Sequence, residues 1–340
     1  MKNKVLVTGG AGYIGSHTVV KLLQAGCQVC VADNLYSGHR WAVPREASFH
    51  HLDIHDREGL SGAIRKHGID SVIHFAGHIV VPESVENPSK YYHNNVLGSL
   101  NLIECCIEHD VNRFVFSSSA AVYGIPEHSL VGEDDLPAPI NPYGRTKLVT
   151  EWTLRDLSSA SKGKFRFASL RYFNVAGAHM EGMLGQATPR ATHLIKVASE
   201  AACGLRPGMS IFGNDYETPD GTCIRDYIHV DDLADAHLRA LDYIGSSDTS
   251  VTLNCGYGRG YSVREVVECV KSVSGTDFPV RIEPRRPGDP PRLVAKADRI
   301  RDLLGWTPRL DDLETICRSA VQWERKFLEA TPESFHVLSG

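Results

Sequence analysis

The chain has 340 residues, a net charge of −5, and 42% hydrophobic against 23% charged residues. That is the composition of an ordinary globular protein long enough for about two domains. With no basic surplus and its Lys and Arg residues spread out, it is not expected to bind nucleic acid or anionic membrane; no run approaches about eighteen apolar residues, and Met1-Lys2-Asn3-Lys4 soon gives way to glycine-rich sequence without a signal peptide, so a cytoplasmic location is expected.

Lys4 to Thr8 reads as a short apolar strand, followed at once by Gly9-Gly10-Ala11-Gly12-Tyr13-Ile14-Gly15 and an amphipathic helix. A second strand, Gln28 to Ala32, ends at Asp33. Strand, glycine turn, helix, strand and acid in this order describe a dinucleotide site. Gly9 permits the tight turn, Gly12 lets the backbone approach a pyrophosphate, and Gly15 allows close contact of helix and strand, with the helix N-terminus facing the phosphates. Asp33 would accept hydrogen bonds from an adenosine ribose and repel a 2′-phosphate, which favours NAD over NADP.

The nine cysteines, an odd number in a chain without a secretion signal, read as reduced thiols. Cys27 and Cys30 form one CxxC with no second pair at zinc spacing, and His74 and His78 flank a strand end and not a metal-binding helix. No metal is assigned.

Further on, Ser71 to Phe75 reads as a strand, Ser89 to His109 as a long helix, Arg113 to Ser117 as a strand, and Phe165 to Arg171 as another. The alternation predicts an α/β fold: a Rossmann-type, doubly wound parallel sheet with helices on both faces. Ligands then sit beyond the carboxyl ends of the strands, where Asp53-Ile54, Phe75-Ala76-Gly77 and Ser117-Ser118-Ser119 fall.

Between the last two strands, Asn141-Pro142-Tyr143-Gly144-Arg145-Thr146-Lys147 opens a helix expected to reach about Ala160. Asn141 can cap it and Pro142 suits its first position. Tyr143 and Lys147 then share one face, one turn apart, which is what a tyrosine base requires. Lowering a phenol from about 10 to about 7 takes roughly 4 kcal/mol, and one ammonium about 6 Å away supplies about 2.8 kcal/mol at an effective dielectric of about 20. Lys147 alone falls short, and a second cation such as an oxidised nicotinamide ring would close the gap. Ser119, at a strand end, can bridge a substrate hydroxyl and the Tyr143 oxygen.

From about Asn174 the alternation loosens. A helix is expected from about Thr192 to Cys203, another from Asp231 to Tyr243, and a strand from Val251 to Asn254 that returns to the first domain. The expected division is an NAD-binding domain of residues 1–173 plus about 229–256, and a smaller, discontinuous C-terminal substrate domain of 174–228 plus 257–340. Arg225 and the late basic cluster Arg285-Arg286-Pro287-Gly288-Asp289 offer arginines for phosphates.

The segments GGAGYIGSH from Gly9, HFAG from His74, SSSAAVYG from Ser117, NPYGRTK from Asn141, RYFNVAGA from Arg171, IFGNDY from Ile211 and RDYIHVDDLADAH from Arg225 resemble, in order and over nearly the whole chain, the extended short-chain dehydrogenases. Within that family they are closest to the nucleotide-sugar 4-epimerases. The resemblance implies epimerisation at C4 of a UDP-sugar, with UDP-glucose and UDP-galactose favoured, by transient oxidation to a 4-keto sugar with tightly bound NAD. It implies that Tyr143 is base and acid, Lys147 its tuning partner and Ser119 a hydroxyl relay. It places Gly9, Gly12, Tyr13, Ile14, Gly15, Asp33, Asn34, Asp53, Ile54, Phe75, Ala76, Gly77, Asn94, Ser117 and Tyr172, with Tyr143 and Lys147, against NAD. Ser119, Tyr143, Asn174, His193, Phe212, Arg225, Arg286, Asp289 and Leu293 are placed against the UDP-sugar, and a homodimer is implied.

Three positions depart from the family pattern. Ile79 replaces a lysine near the cofactor phosphates, His193 replaces an asparagine near the substrate phosphates, and Leu293, of intermediate size, stands at the sugar pocket. UDP-xylose and UDP-N-acetylglucosamine therefore stay open as substrates. A 4,6-dehydratase would need an acid where Ser119-Ala120-Ala121 stands, and a non-catalytic NAD sensor would not need both Tyr143 and Lys147.

Overall fold

The computed structural model describes residues 3–189, 191–286 and 288–329. Met1-Lys2, Pro287 of the basic cluster, and the end of the expected substrate domain at 330–340 lie outside the described residues.

Seven parallel strands form the central sheet, in the order Val251–Cys255, Arg166–Tyr172, Arg113–Ser119, Ser71–His74, Lys4–Thr8, Gln28–Asp33 and Ser48–His51. A parallel sheet is covered on both faces, so its inner strands send apolar side chains to both sides. Val5 and Val7 enter one core while Leu6 enters the other, and the same split separates Val29 and Val31 from Cys30 and Ala32. The first of these cores continues without a break into the later half of the chain, through Ile195, Val266, Ile316 and Val321.

Strand order reverses between Lys4–Thr8 and Ser71–His74, which are hydrogen-bonded neighbours. That reversal opens a crevice beyond their carboxyl ends, where the glycine turn and Phe75-Ala76-Gly77 meet. The contact is close: a Cβ on Gly9, whose φ is +70°, would come 2.6 Å from the Ala76 nitrogen. Only glycine fits there.

A second, smaller sheet forms around Ile224–His229, which pairs with Asn174–Ala176, Gly260–Ser262 and Arg292–Ala295. It borrows one short strand, Leu130–Val131, from ahead of the Tyr143 helix. Tyr13 also joins the halves, its hydroxyl donating to the Gly177 carbonyl at 2.6 Å.

The expected parallel α/β sheet is present, and several local features go beyond the sequence reading. Ser48–His51 is a strand although it lacks an apolar run, and Arg57–His67 is a helix capped by Asp56, which accepts from the Gly59 N–H. The long helix expected from Ser89 is α-helical at Pro88–Tyr91 and Ser99–Glu108 but π-helical over Tyr92–Gly98. That wider turn holds Asn95 against the backbone of His78, accepting from its N–H at 2.8 Å and donating to its carbonyl at 2.9 Å.

Beneath the Tyr143 helix lies a buried ion pair. Arg171 reaches Glu151 through Nε at 2.9 Å and Nη2 at 2.5 Å, and Ser118 donates to the same carboxylate. Both side chains are almost fully buried, at 3% and 0% exposure. Replacing Arg171 with Met strands a carboxylate in the core, so the Arg171→Met variant is expected to lose about 3–5 kcal/mol in denaturant unfolding; a loss below about 1 kcal/mol would show that Glu151 finds another partner or a proton at little cost.

Candidate active site

The Tyr143 helix spans Pro142–Ala160, and Asn141 caps it by accepting from the Gly144 N–H at 2.8 Å. Its first turn lies across the carboxyl ends of Arg113–Ser119 and Arg166–Tyr172. Tyr143 is buried, and its phenol is hydrogen-bonded to Ser119. Burial pushes this phenol above its ordinary value, and the Ser119 hydroxyl pulls it back.

Lys147 Nζ lies 5.9 Å from the Tyr143 ring centroid and donates to the Ser117 carbonyl at 2.8 Å. Burial brings its ammonium down to about 8, opposed by Glu151 one turn further along. It therefore keeps most of its charge at neutral pH, and an ammonium about 6 Å from a phenolate favours it by roughly 3 kcal/mol at an effective dielectric of about 20. Tyr172 completes the group, its hydroxyl bonded to Ser117 and its own pKa raised by burial and by the nearby Tyr143.

A cleft of about 370 Å³ runs from the glycine turn to this tyrosine. Of the residues expected at the cofactor, Gly9, Gly12, Tyr13, Ile14, Gly15, Asp33, Asn34, Ile54, Phe75, Ala76, Gly77, Asn94, Ser117, Tyr143 and Tyr172 line it. Lys147 lies behind the wall. Asp53 lies beside it, accepting from the Asn34 side chain at 2.7 Å.

The donor set fits a dinucleotide. The helix Tyr13–Gln24 starts at Gly12 with no side chain capping it, which leaves its first amides free for phosphate oxygens. A Cβ on Gly15 would fall 2.2 Å from the Gly9 carbonyl oxygen, so the turn exists only without side chains. The Asp33 carboxylate is held by the Ala11 and Leu35 N–H groups at 2.9 and 2.8 Å, which fixes its direction at the strand end.

On the substrate side, Ser119, Asn174, His193 and Leu293 line the same cleft. Burial keeps the His193 imidazole below its ordinary pKa, and Gln186 bonds its Nδ1 at 2.9 Å. A neutral, oriented imidazole thus stands where the family pattern has an amide. Phe212, Arg225, Arg286 and Asp289 do not line the cleft. Arg286 stacks on the Phe212 ring at 3.7 Å, and Arg225 is turned to the Pro290 carbonyl at 2.8 Å and towards Asp289 at 3.6 Å. Arg225 belongs to the small sheet and Phe212 to a separate two-stranded one, Met209–Phe212 with Val280–Glu283, and the four side chains contact one another as two pairs. Arg225 is paired in strand register with Leu293, which does line the cleft.

Tyr36, Ser37, Gly38, His78, Gln186 and Thr188 also line the cleft and were not singled out for it in the sequence. Tyr36 to Gly38 could have been found as the continuation of the Asp33 strand end. Gln186 and Thr188 carry no local signal, because a long loop brings them in.

The family described as NAD-dependent epimerase/dehydratase matches residues 5–256. A UDP-glucose 4-epimerase of Azospirillum brasilense is 54% identical over 97% of this chain and 94% of its own length. Among solved structures, the UDP-glucose 4-epimerase of Brucella ovis in complex with NAD superposes with a TM-score of 0.91 at 45% identity, covering 94% of this chain and 98% of that one. Another UDP-glucose 4-epimerase structure gives a TM-score of 0.93 at 43% identity over 97% and 99%. Sharing the family's pattern from the first strand to the last strand of the central sheet, and its architecture along nearly the whole chain, this protein belongs to the NAD-dependent epimerase/dehydratase family.

Proposed function

We propose that this protein interconverts UDP-sugars that differ at C4, with UDP-glucose and UDP-galactose as its substrates. The observation that carries the reading is the buried Tyr143 phenol, bonded to Ser119 and backed by Lys147, at the wall of the one cleft that the glycine turn and Leu293 also line. The 54% identical UDP-glucose 4-epimerase supports it. Ser119-Ala120-Ala121 offers no carboxylate for water elimination, which disfavours a dehydratase.

NAD, when bound, supplies the acceptor and later the donor of hydride at the sugar C4. The chain handles the proton. Tyr143 as phenolate takes it from the C4 hydroxyl, through or beside Ser119, and afterwards returns it. Lys147 stabilises the phenolate in between. Inversion requires the 4-keto ring to present its opposite face before reduction, so the site must hold the nucleotide firmly and the hexose loosely. Arg225, Arg286, Phe212 and Asp289 would serve the first need, and Asn174, His193 and Leu293 would shape the second. Gly9 to Gly15, Asp33, Asn34, Asp53 and Asn94 hold the cofactor.

We also assign the chain to the cytoplasm as a homodimer. Tyr92, Leu97 and Trp152 are 38%, 53% and 50% exposed on two helical segments that pack side by side, an apolar face suited to a second copy. Sedimentation of the purified protein at twice the chain mass is expected; a monomer would overturn the assignment.

Incubated without added cofactor, the purified protein is expected to form the C4 epimers of UDP-glucose and UDP-galactose, read by NMR from a panel that includes UDP-xylose and UDP-N-acetylglucosamine. Failure to change any of them would sink the proposal. Tyr143→Phe should retain bound NAD while turnover falls roughly 10²–10⁴-fold. Ser119→Ala removes the hydrogen bond that lowers the Tyr143 pKa. Because the active form is the phenolate, the rise of kcat with pH should move to higher pH in that variant; an unmoved rise would take Ser119 out of the proton path.

A further inference from the structure

The Cys27-x-x-Cys30 motif does not close on itself. Cys27 packs against the core that holds Val29 and Val31, whereas Cys30, within the strand Gln28–Asp33, enters the opposite core with Ala32. On that opposite face Cys30 meets two histidines. Ala32 is the register partner of His50, so His50 lies on the same side of the sheet as Cys30, one strand over. His67 ends the helix Arg57–His67, which covers this face.

One ligand atom from each of Cys30, His50 and His67 lies within 4.8 Å of the other two. The two imidazoles face each other Nε2 to Nε2 at 2.9 Å, with their rings crossed at 85°. One nitrogen donates there and the other accepts.

We propose that Cys30, His50 and His67 form a three-ligand site for a divalent transition metal, with zinc the ion its donor set suits best. One thiolate and two imidazoles are a borderline-soft set of the kind zinc takes. In a tetrahedral site with bonds of about 2.0–2.1 Å to nitrogen and about 2.3 Å to sulfur, ligand atoms lie roughly 3.3–3.7 Å apart. The imidazole nitrogens need only open by a few tenths of an ångström as the ion takes the place of the proton between them, that proton passing through solvent to Nδ1 of the ring that carried it. The Cys30 thiol proton leaves to solvent as the metal–sulfur bond forms. Burial pushes the Cys30 thiol up to about 12 and the Lys66 charge pulls it back only in part, so the metal must displace a firmly held proton. Glu46 lines the same surface depression as Cys30 and His67, through which an ion can enter and a water complete the coordination.

The expectation of no metal rested on spacing along the chain, and these three residues meet only through strand register and helix packing. A metal here ties the outermost strand, Ser48–His51, to the neighbouring strand and to the helix above. The site is separate from the Tyr143 cleft, and its role is structural.

The test uses the untagged, NAD-bound protein, stripped with a chelator and titrated with Co(II) alone and Zn(II) alone. One Co(II) per chain is expected, with a thiolate-to-cobalt charge-transfer band that Zn(II) abolishes. The band should vanish in Cys30→Ser, and Zn(II) affinity should fall by roughly 100-fold or more in His67→Asn. Both variants should keep wild-type NAD content and epimerisation, and His67→Asn, altered at a half-buried helix end, keeps the test decisive if Cys30→Ser fails to fold. Cobalt bound without a thiolate band, or Zn(II) affinity equal to wild type in His67→Asn, overturns the proposal.

Discussion

On the proposed mechanism a phenol must ionise near neutral pH while shut away from water, and the arrangement of this molecule depends on that constraint. Burial works against the ionised form, and Tyr143 is buried. Each neighbour offsets that opposition in part: the Ser119 hydroxyl by hydrogen bond, Lys147 by charge. Lys147 is itself buried and its ammonium disfavoured, and Glu151 in the next turn supports it. Glu151 in turn is held by Arg171 and Ser118. The ionic layer beneath the helix thus supports a charge one turn above it, and strand ends and helix must stay in fixed register.

Much of this was legible in the sequence because it depends on local chemistry. The glycine turn, the acid at the second strand end, the Asn-Pro helix start and the Tyr/Lys spacing are each set by a few adjacent residues. The parallel sheet followed from alternation. What was not legible depends on distant partners. Ser48–His51 is a strand because Gln28–Asp33 offers it an edge, not because of its own residues. The small sheet takes Leu130–Val131 from a stretch that had no strand signal. Gln186 reaches the cleft by a loop whose path no pattern encodes.

The arginines proposed for the nucleotide, Arg225 and Arg286, occupy a middle ground. Their identity came from the resemblance, but their disposition did not: Arg225 engages backbone carbonyls and Asp289, and Arg286 rests on Phe212. Partners of this kind hold long cationic side chains in place before a diphosphate arrives, which lowers the ordering cost of binding. A nucleotide would then compete with Asp289 and the Pro290 carbonyl for Arg225.

The π-helical turn at Tyr92–Gly98 bears on how one helix can serve two masters. Its first half must aim Asn94 and Asn95 at the cleft and at the loop around His78. Its second half must aim Glu104 and Glu108 at Arg57 on the neighbouring helix. A regular helix advances about 100° per residue, so both demands can be met only if the phase between them happens to suit. The surplus residue in the wide turn supplies the missing rotation, letting the two halves be tuned independently, and a one-residue deletion there would swing one set of contacts away while leaving the amino-acid composition of both faces unchanged.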